Sequence, residues 1–313
     1  VTAPFRMQPG LRRIAAGTPQ LVPLAPGSRH QREKLAVFSA FASQALLARP
    51  GFDAGPGLAA LATHAAAEHP QALQWDGRRA VAPVLGVAVC DGEVEDLAGG
   101  VFGLGDEIGR CLRGLPPAWR LGALLSLAFD EDFAIVDAVD GTIPWMAVAL
   151  PSHWAPEHKV GRHFAQVHEP VADNALLLAA SERLVALAAG EQRWERFVWT
   201  VTGHTRLHAH PDRVDPLRWP ADPQPATIAQ HAWWRTERQT FVPLPAQRQA
   251  VFTILVDVQP LAQAIDDAPR ARRLHDALAS MSPAVLDYRG LQPVQAALLG
   301  WLAARGAGTP PAA

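Results

Sequence analysis

A tight-turn signal near the middle of the chain constrains the fold most. Asp140-Gly141 separates a short apolar run, residues 133–136, from a second run, residues 143–150. An Asp-Gly pair between two such runs is typical of a β-hairpin. Pro144 has no amide hydrogen to donate inside a sheet, so we expect an edge or a bulge where the second strand begins. The sequence therefore predicts antiparallel pairing here.

Two later segments extend this pattern. Residues 193–202 alternate between polar and apolar side chains, which is typical of a half-buried strand. Residues 233–242 and 250–258 are predicted to form a second hairpin, joined by a long turn around Pro243 and Pro245. A Gly-x-Gly-x-x-Gly motif between a strand and a helix is absent, and so is a Walker-type loop. These absences argue against the usual nucleotide-binding sites.

Helices are predicted on both sides of the strands. Ser28, with Gln31 three positions later, forms a capping box in front of a helix that ends before Pro50-Gly51. Further helices are predicted over residues 57–68, 103–114, 118–127, 173–189 and 261–305. Strands between two helical ends indicate an α+β fold with an antiparallel sheet.

We interpret residues 1–313 as a single domain with three parts. Residues 1–128 are predicted to be mainly helical, residues 129–260 to form a sheet-rich core, and residues 261–313 to be helical. The length is sufficient for one large hydrophobic core.

The composition limits the classes of function. The chain has a net charge of −2, 49% hydrophobic and 19% charged residues, which is typical of a soluble globular protein without a nucleic-acid partner. No run of apolar residues is long enough to span a bilayer, and residues 1–13 lack the apolar core of a signal peptide. Cys90 and Cys111 stand in no metal or redox motif. We therefore expect a cytoplasmic protein with reduced cysteines and no membrane partner.

Four histidines at five-residue spacing, His153, His158, His163 and His168, look like a metal-binding array. Geometry argues against that reading. Five residues turn a helix by about 500°, so successive rings differ by about 140° and share no face. On a strand, odd steps alternate between the two faces. One or two of these rings at most can face a common pocket, and we interpret His153, His158 and His163 as ordinary positions around a turn and a short helix.

Two other polar clusters are interpreted as solvent-exposed. His204, His208 and His210 have a spacing that a zinc site can use, but they follow a strand, precede Pro211 and lack a nearby cysteine, which favours an exposed loop. The acidic run over residues 130–132 is either a carboxylate pair or the solvated edge of a strand, and the edge is favoured.

The charged strand around Glu237 has a different character. Arg235, Glu237 and Gln239 share one face of the predicted strand, whereas Arg238 lies on the other face with Thr240. A carboxylate between two arginines is costly to bury unless it is paired or used. The residues alone favour a structural ion pair.

Several blocks, in order and spacing, resemble the haem-dependent oxidative N-demethylase family of bacteria. The matching blocks are Phe5-Arg6-Met7 with Gly10-Leu11, Asp130-Glu131-Asp132-Phe133, Pro151-Ser152-His153-Trp154, Glu157 to Arg162, Val167 to Val171, Arg235 to Thr240 with Leu244-Pro245, Val251 to Ile254, and Tyr288 to Leu291. The resemblance implies a PAS-like antiparallel sheet flanked by N- and C-terminal helices that binds haem b. It also implies oxidative N-demethylation of a small secondary amine by dioxygen, with electrons from a separate flavin/iron–sulfur reductase.

The resemblance also implies roles for individual residues. His168 would be the axial ligand of the haem iron. Glu237 would act on the distal side, where it relays protons to dioxygen or holds the cationic amine. The side chains that would pair with the haem propionates are Arg235, Arg238, Arg162 or Lys159. Where the family has Arg-x-Asn-Trp, this chain has Arg196-Phe197-Val198-Trp199, and Val198 lacks the hydrogen-bonding amide.

Two further functions stay open. One is a non-catalytic, sensor-like protein that binds haem or a small ligand, and the other is a degenerate member without a cofactor. Glu237 in a polar distal pocket would distinguish an oxygenase, because that reaction needs a proton donor and simple binding does not.

Overall fold

Two antiparallel sheets form the framework of the chain in a computed structural model, which describes residues 1–8, 10–215 and 218–308. In chain order the strands are β1 (Arg12–Arg13), β2 (Leu46–Ala48), β3 (Gln74–Trp75), β4 (Arg79–Ala82), β5 (Val87–Cys90), β6 (Glu93–Asp96), β7 (Asp132–Asp137), β8 (Thr142–Ala147), β9 (Trp194–Thr202), β10 (Trp233–Leu244) and β11 (Gln249–Pro260). The large sheet has the order β1-β9-β10-β11-β7-β8-β2, and the small sheet has the order β3-β4-β5-β6. The five central strands of the large sheet are therefore ordered β8-β7-β11-β10-β9.

Helices surround the large sheet. They are α1 (Arg29–Ala40), α2 (Ala42–Ala45), α3 (Gly55–Glu68), α4 (Glu107–Gly114), α5 (Pro117–Ala128), α6 (Phe164–His168), α7 (Ala175–Ala179), α8 (Ser181–Ala188), α9 (Leu261–Ala264), α10 (Ala268–Ala279), α11 (Pro283–Tyr288) and α12 (Gln295–Gly306). Within the described residues, no helix combines the length and apolar character needed to cross a membrane.

The sheet lies between two groups of helices. Helix α3 approaches so closely that a Cβ atom at Gly57 would lie 2.6 Å from Cδ1 of Ile135 on β7. Strand alternation turns the neighbouring residues Ala134 and Val136 to the opposite face, on the side of α8. A second apolar cluster joins the end of β9 to the C-terminal helices through Val201, the other members being mainly residues of α9 to α12. One face of the sheet is thus packed by α3 and the other is covered by α6 to α8.

The predicted hairpins and most helices are confirmed. β7 and β8 pair antiparallel across Asp140-Gly141, and the register shift between Ile135 and Asp137 places Pro144 in a bulge. β10 and β11 form the second hairpin, longer than predicted, and β10 also pairs with β9. Ser28 caps α1, although the Gln31 side chain accepts a hydrogen bond from the Gly27 amide.

Three details of the predicted secondary structure are wrong. The first predicted helix stops at Ala45, because Leu46–Ala48 pairs with β8 as strand β2. The predicted helix over 173–189 is divided at Ala180, and Asn174 donates its amide hydrogens to the carbonyls of residues 168 and 169 instead of capping. The small sheet over residues 74–96 was not predicted.

Glu131 and Asp132 of the acidic run over 130–132 are buried, so the prediction of a solvated edge is wrong for these two residues. Asp132 is 0% exposed and Glu131 is 1% exposed. The reason is Lys34 of α1, also 0% exposed. Its Nζ donates to the carbonyl oxygens of Ser126 and Phe129, each at 3.0 Å, and of Glu131, and lies 3.4 Å from Oδ1 of Asp132. We call this group of residues the Lys34 cluster.

Candidate functional site

A cavity of about 300 Å³ lies between the large sheet and helices α6 to α8. This volume is at the lower end of the range of about 300–1,000 Å³ for ligand pockets. Most of its wall is apolar, with contributions from β7, β8, β11 and α8, for example Val136, Met146, Val185 and Ile254. A smaller set of polar and charged side chains comes mainly from β9, β10 and the segment between β8 and α6.

Strand alternation selects which polar side chains of β9 and β10 face the cavity. Arg235, Glu237 and Gln239 line it from β10, as predicted for one shared face, and Arg196 and Val198 line it from β9. In the β9–β10 register, Val198 lies opposite Glu237, and Arg196 lies opposite Gln239. The polar wall is therefore a patch built from neighbouring positions of two strands.

His168 lies at the C-terminal end of α6 and lines the cavity. Its Nδ1 lies 2.8 Å from the carbonyl oxygen of Phe164, one turn earlier in the same helix, so Nδ1 carries the proton and donates. Burial lowers the pKa of His168 to about 4, and the positive charges of Arg196 and Lys159 act in the same direction. The imidazole is neutral at pH 7, and its Nε2 has a lone pair with no hydrogen-bond partner among the described residues.

Arg235 is 1% exposed and has a full set of partners. Its Nε donates to Oγ of Ser152 at 2.8 Å, and its Nη atoms donate to the carbonyl oxygens of Pro151, Arg206 and Leu207 at 2.8–3.2 Å. The guanidinium therefore ties together two chain segments that are more than fifty residues apart. Because its donors are used in this way, we assign Arg235 a positioning role instead of contact with a ligand.

The segment that Arg235 holds contains three buried histidines, so the prediction of an exposed loop is wrong. His204, His208 and His210 are 6%, 7% and 1% exposed. They do not converge on a common point, since His208 Nδ1 contacts the carbonyl oxygen of Ala149 and His210 Nε2 contacts Glu157. The alternative of a three-histidine zinc site therefore has no support in this geometry.

His153 lines the cavity and pairs with His204, a role that the sequence did not suggest. The two Nε2 atoms are 3.3 Å apart. Burial lowers the pKa of His153 to about 3 and that of His204 to about 4, and Arg235 contributes to both shifts. Both rings are neutral, so one Nε2 donates to the other. The backbone of His153 has a φ of +61°, in the left-handed region.

Glu237 is 8% exposed and faces the cavity. Its Oε2 accepts a hydrogen bond of 2.5 Å from Nε2 of Gln239. The expected structural ion pair is wrong, because among the described residues no arginine forms an ion pair with Glu237. Arg235 is engaged by main-chain oxygens, and Arg238 contacts Glu195 at 2.9 Å on the opposite face of the sheet.

Arg196 is the second charged residue of the polar wall. It forms no hydrogen bond or ion pair with any described residue, and its Nε is buried without a partner. Burial lowers its pKa, and the negative charge of Glu237 opposes that effect. Arg196 is half-buried, and a buried donor without a hydrogen bond, such as its Nε, is unfavourable unless a ligand or water supplies the missing acceptor.

The remaining predicted propionate partners differ in position. Lys159 lines the cavity, and its Nζ donates one hydrogen bond of 2.7 Å to the carbonyl oxygen of Val167. Arg162 is exposed and does not line the cavity. Arg289, which was not predicted as a site residue, also lines the cavity. It lies beside the part of β9 that does not pair with β1. Its Nη1 donates to the carbonyl oxygen of Trp199, and its Nε is buried without a partner.

The sequence model of a family described as "Haem-dependent oxidative N-demethylase, alpha subunit-like" matches residues 119–299, more than half of the chain. The chain belongs to this family. The match covers strands β7 to β11 of the large sheet. It also covers every cavity residue discussed above. The family description makes haem the cofactor, and oxidative N-demethylation by haem requires dioxygen and an electron donor.

The residues of the cavity fit a haem group. His168 offers a neutral imidazole whose Nδ1 is oriented by a carbonyl oxygen, which is the usual arrangement of a metal-ligating histidine. The unpartnered Nε of Arg289 shows that the wall has a donor that the protein itself does not satisfy. Apolar walls from four strands and α8 suit the porphyrin ring.

Proposed function

We propose that this chain is the haem b-binding subunit of an oxidative N-demethylase, with haem in the cavity beside His168. Nε2 of His168 would be the axial ligand. The observation that carries this proposal is a neutral histidine that lines the cavity, with its Nδ1 fixed by the carbonyl oxygen of Phe164 and its Nε2 without a hydrogen-bond partner among the described residues.

The strand order supports a PAS-like fold for the cofactor-binding core. Across the sheet, the five central strands are ordered β8-β7-β11-β10-β9. The two that come first in the sequence, β7 and β8, lie at one side, and the three that come later, β9 to β11, follow in reverse order. The cavity lies between this sheet and the helices that connect β8 to β9. This connection carries His168 on α6.

We assign the haem propionates to Lys159 and Arg289. Each lines the cavity and has donors left over after its contacts with main-chain oxygens. The other candidates from the sequence are less suitable, because Arg235 has a full set of partners, Arg238 points to the opposite face and Arg162 is exposed.

Glu237 is the residue that would act on the substrate. Its Oε2 is held by Gln239, so Oε1 is available to accept a proton from an ammonium group or to pass one inwards. Bound haem supplies the activation of dioxygen. Overall, one oxygen atom leaves with the methyl carbon as formaldehyde and the other as water, with two electrons and two protons consumed.

The electrons would come from a partner. This sequence contains two cysteines, Cys90 and Cys111, which are both free thiols, whereas an iron–sulfur cluster held by cysteines alone needs four. We therefore propose a separate flavin/iron–sulfur reductase as the donor and a small secondary amine as the substrate.

Val198 favours a second candidate, a non-catalytic haem protein. Its apolar side chain lies opposite Glu237, where the family pattern has an amide, so Glu237 has fewer polar neighbours for moving protons. The two functions share the haem and differ in turnover.

One experiment separates these functions. The purified protein is titrated with haem, and the Soret band is recorded. Formaldehyde is then measured with dioxygen, a chemical reductant and N-methylated amines. A Soret band with formaldehyde release that is lost in Glu237→Gln, but kept in the exposed control Glu182→Gln, supports the demethylase. A Soret band without formaldehyde in the wild type supports the non-catalytic protein. The absence of a Soret band would overturn both.

A further inference from the structure

The charges around the cavity are unbalanced. Among the described residues, four cationic side chains line it, Lys159, Arg196, Arg235 and Arg289, against the single carboxylate of Glu237. A cavity with this excess of positive charge disfavours a ligand that adds another cation.

Three of the four cations are accounted for. Arg235 is surrounded by main-chain carbonyl oxygens and Ser152, which satisfy its donors. Lys159 and Arg289 each keep free donors, and two haem propionates would neutralise them. Arg196 is left with neither a hydrogen bond nor a counter-ion within contact distance.

The position of Arg196 relative to Glu237 limits which ligand can supply the missing hydrogen-bond acceptors and the counter-ion. Gln239 is the direct cross-strand partner of Arg196, and Glu237 is two residues away on the same face of β10. Diagonal neighbours of this kind lie about 7–8 Å apart between Cα atoms. The two groups influence each other electrostatically, yet they form no ion pair. The wall therefore presents a separated cation and anion side by side.

We infer that the amine bound in this cavity carries a carboxylate, as an N-methylated amino acid does. This inference rests on the proposed function and specifies its substrate class. Glu237 would accept a hydrogen bond from the ammonium group, and Arg196 would bind the carboxylate. Such a zwitterion adds no net charge to the cavity, whereas a simple dialkylammonium ion would increase the excess of positive charge.

The reaction balance of the proposed function is unchanged by the carboxylate. N-methylglycine, dioxygen, two electrons from the external donor and two protons would give glycine, formaldehyde and water. Overall, the nitrogen–methyl bond, one methyl C–H bond and the O–O bond break, while the C=O bond of formaldehyde, an N–H bond and the O–H bonds of water form. The carboxylate is a handle for binding only.

The test compares three ligands by calorimetry, with both haem-free and haem-loaded protein. They are N-methylglycine, its amide, which lacks the carboxylate charge, and dimethylamine. We expect N-methylglycine to bind at least about 10-fold more tightly than the other two, since a hydrogen-bonded charge pair is worth that factor or more.

Variants identify the residue responsible. Arg196→Gln should weaken N-methylglycine binding by about 10- to 100-fold and leave the amide within about twofold. Arg196→Lys, which keeps the charge, should retain part of the preference. Arg183→Gln is the matched control, because Arg183 is exposed on α8 and has no contact with the cavity.

The outcomes separate this inference from the proposed function. Equal or tighter binding of the amide or dimethylamine overturns the inference, and so does an equal loss in Arg183→Gln. If a Soret band still forms in those cases, the haem function stands. If no Soret band forms, the haem function fails, and the preference of the haem-free cavity still decides the ligand class.

Discussion

Two cationic side chains in this protein, one completely buried and one half-buried, have opposite surroundings. Lys34 is completely buried, and its Nζ donates to three main-chain oxygens and lies beside Asp132. Arg196 faces the cavity and has no hydrogen bond with any described residue. A cation that holds a fold together is fully satisfied by the fold. A cation that the fold leaves unsatisfied belongs to a site where a ligand supplies the acceptors.

The largest expected effect concerns His168, which lines the same cavity as Arg196. His168→Ala should abolish the Soret band on haem titration, because it removes the ring nitrogen that we propose binds the iron. His158→Ala is the matched control, since His158 belongs to the same row of histidines but is exposed. An unchanged Soret band in His168→Ala would remove this residue as the ligand.

The next largest effect concerns the Lys34 cluster. Lys34→Met should lower the free energy of unfolding by about 3–5 kcal/mol, because Asp132 would be left buried without its partner. Urea unfolding measures this loss. The exposed Arg273→Met on α10 should stay within about 0.5 kcal/mol of the wild type. A loss below about 1 kcal/mol in Lys34→Met would contradict the structural role of the cluster.

A comparable effect, spread over several pH units, is expected from pH in the same cluster. Burial raises the pKa of Glu131 to about 8, against the opposing effects of the Val22 amide and Lys34. The folded state therefore retains a proton that the unfolded state loses, and stability present at low pH is lost as the pH rises through about 8. In Glu131→Gln this proton linkage is absent.

Unfolding free energies of the wild type and Glu131→Gln should therefore diverge with pH. Between about pH 5 and pH 8 the wild type should lose up to about 1.4 kcal/mol per pH unit relative to the variant. Parallel stability curves for the two proteins would show that Glu131 does not titrate as a buried acid.

Much of the fold was predictable because local signals agree with it. Asp140-Gly141 fixes the first hairpin, and period-two alternation correctly places Arg235 and Glu237 on one face and Arg238 on the other. The burial of residues 131–132 was not predictable, because it depends on Lys34, nearly one hundred residues away. A charged run gives no local sign of a distant partner.

The candidate site was predictable only in part, because some of its residues are brought together by packing between distant segments. The block Val167 to Val171, which contains His168, was identified through a resemblance to the family, and the role of Glu237 came from the same source. Arg196 was missed as a site residue, although the alternation along residues 193–202 places it beside Val198 on the half-buried face. The position of Arg289 depends on how α11 packs against β9, which no local pattern encodes.

The most direct measurement of the contrast between the two cations is the unfolding of Arg196→Met without haem, compared with Lys34→Met. Methionine replaces a charge that has no hydrogen bonds in the protein, so the free energy of unfolding should stay within about 0.5 kcal/mol of the wild type or rise. A loss of about 3 kcal/mol or more, similar to that in Lys34→Met, would show that Arg196 stabilises the fold and is not held free for a ligand.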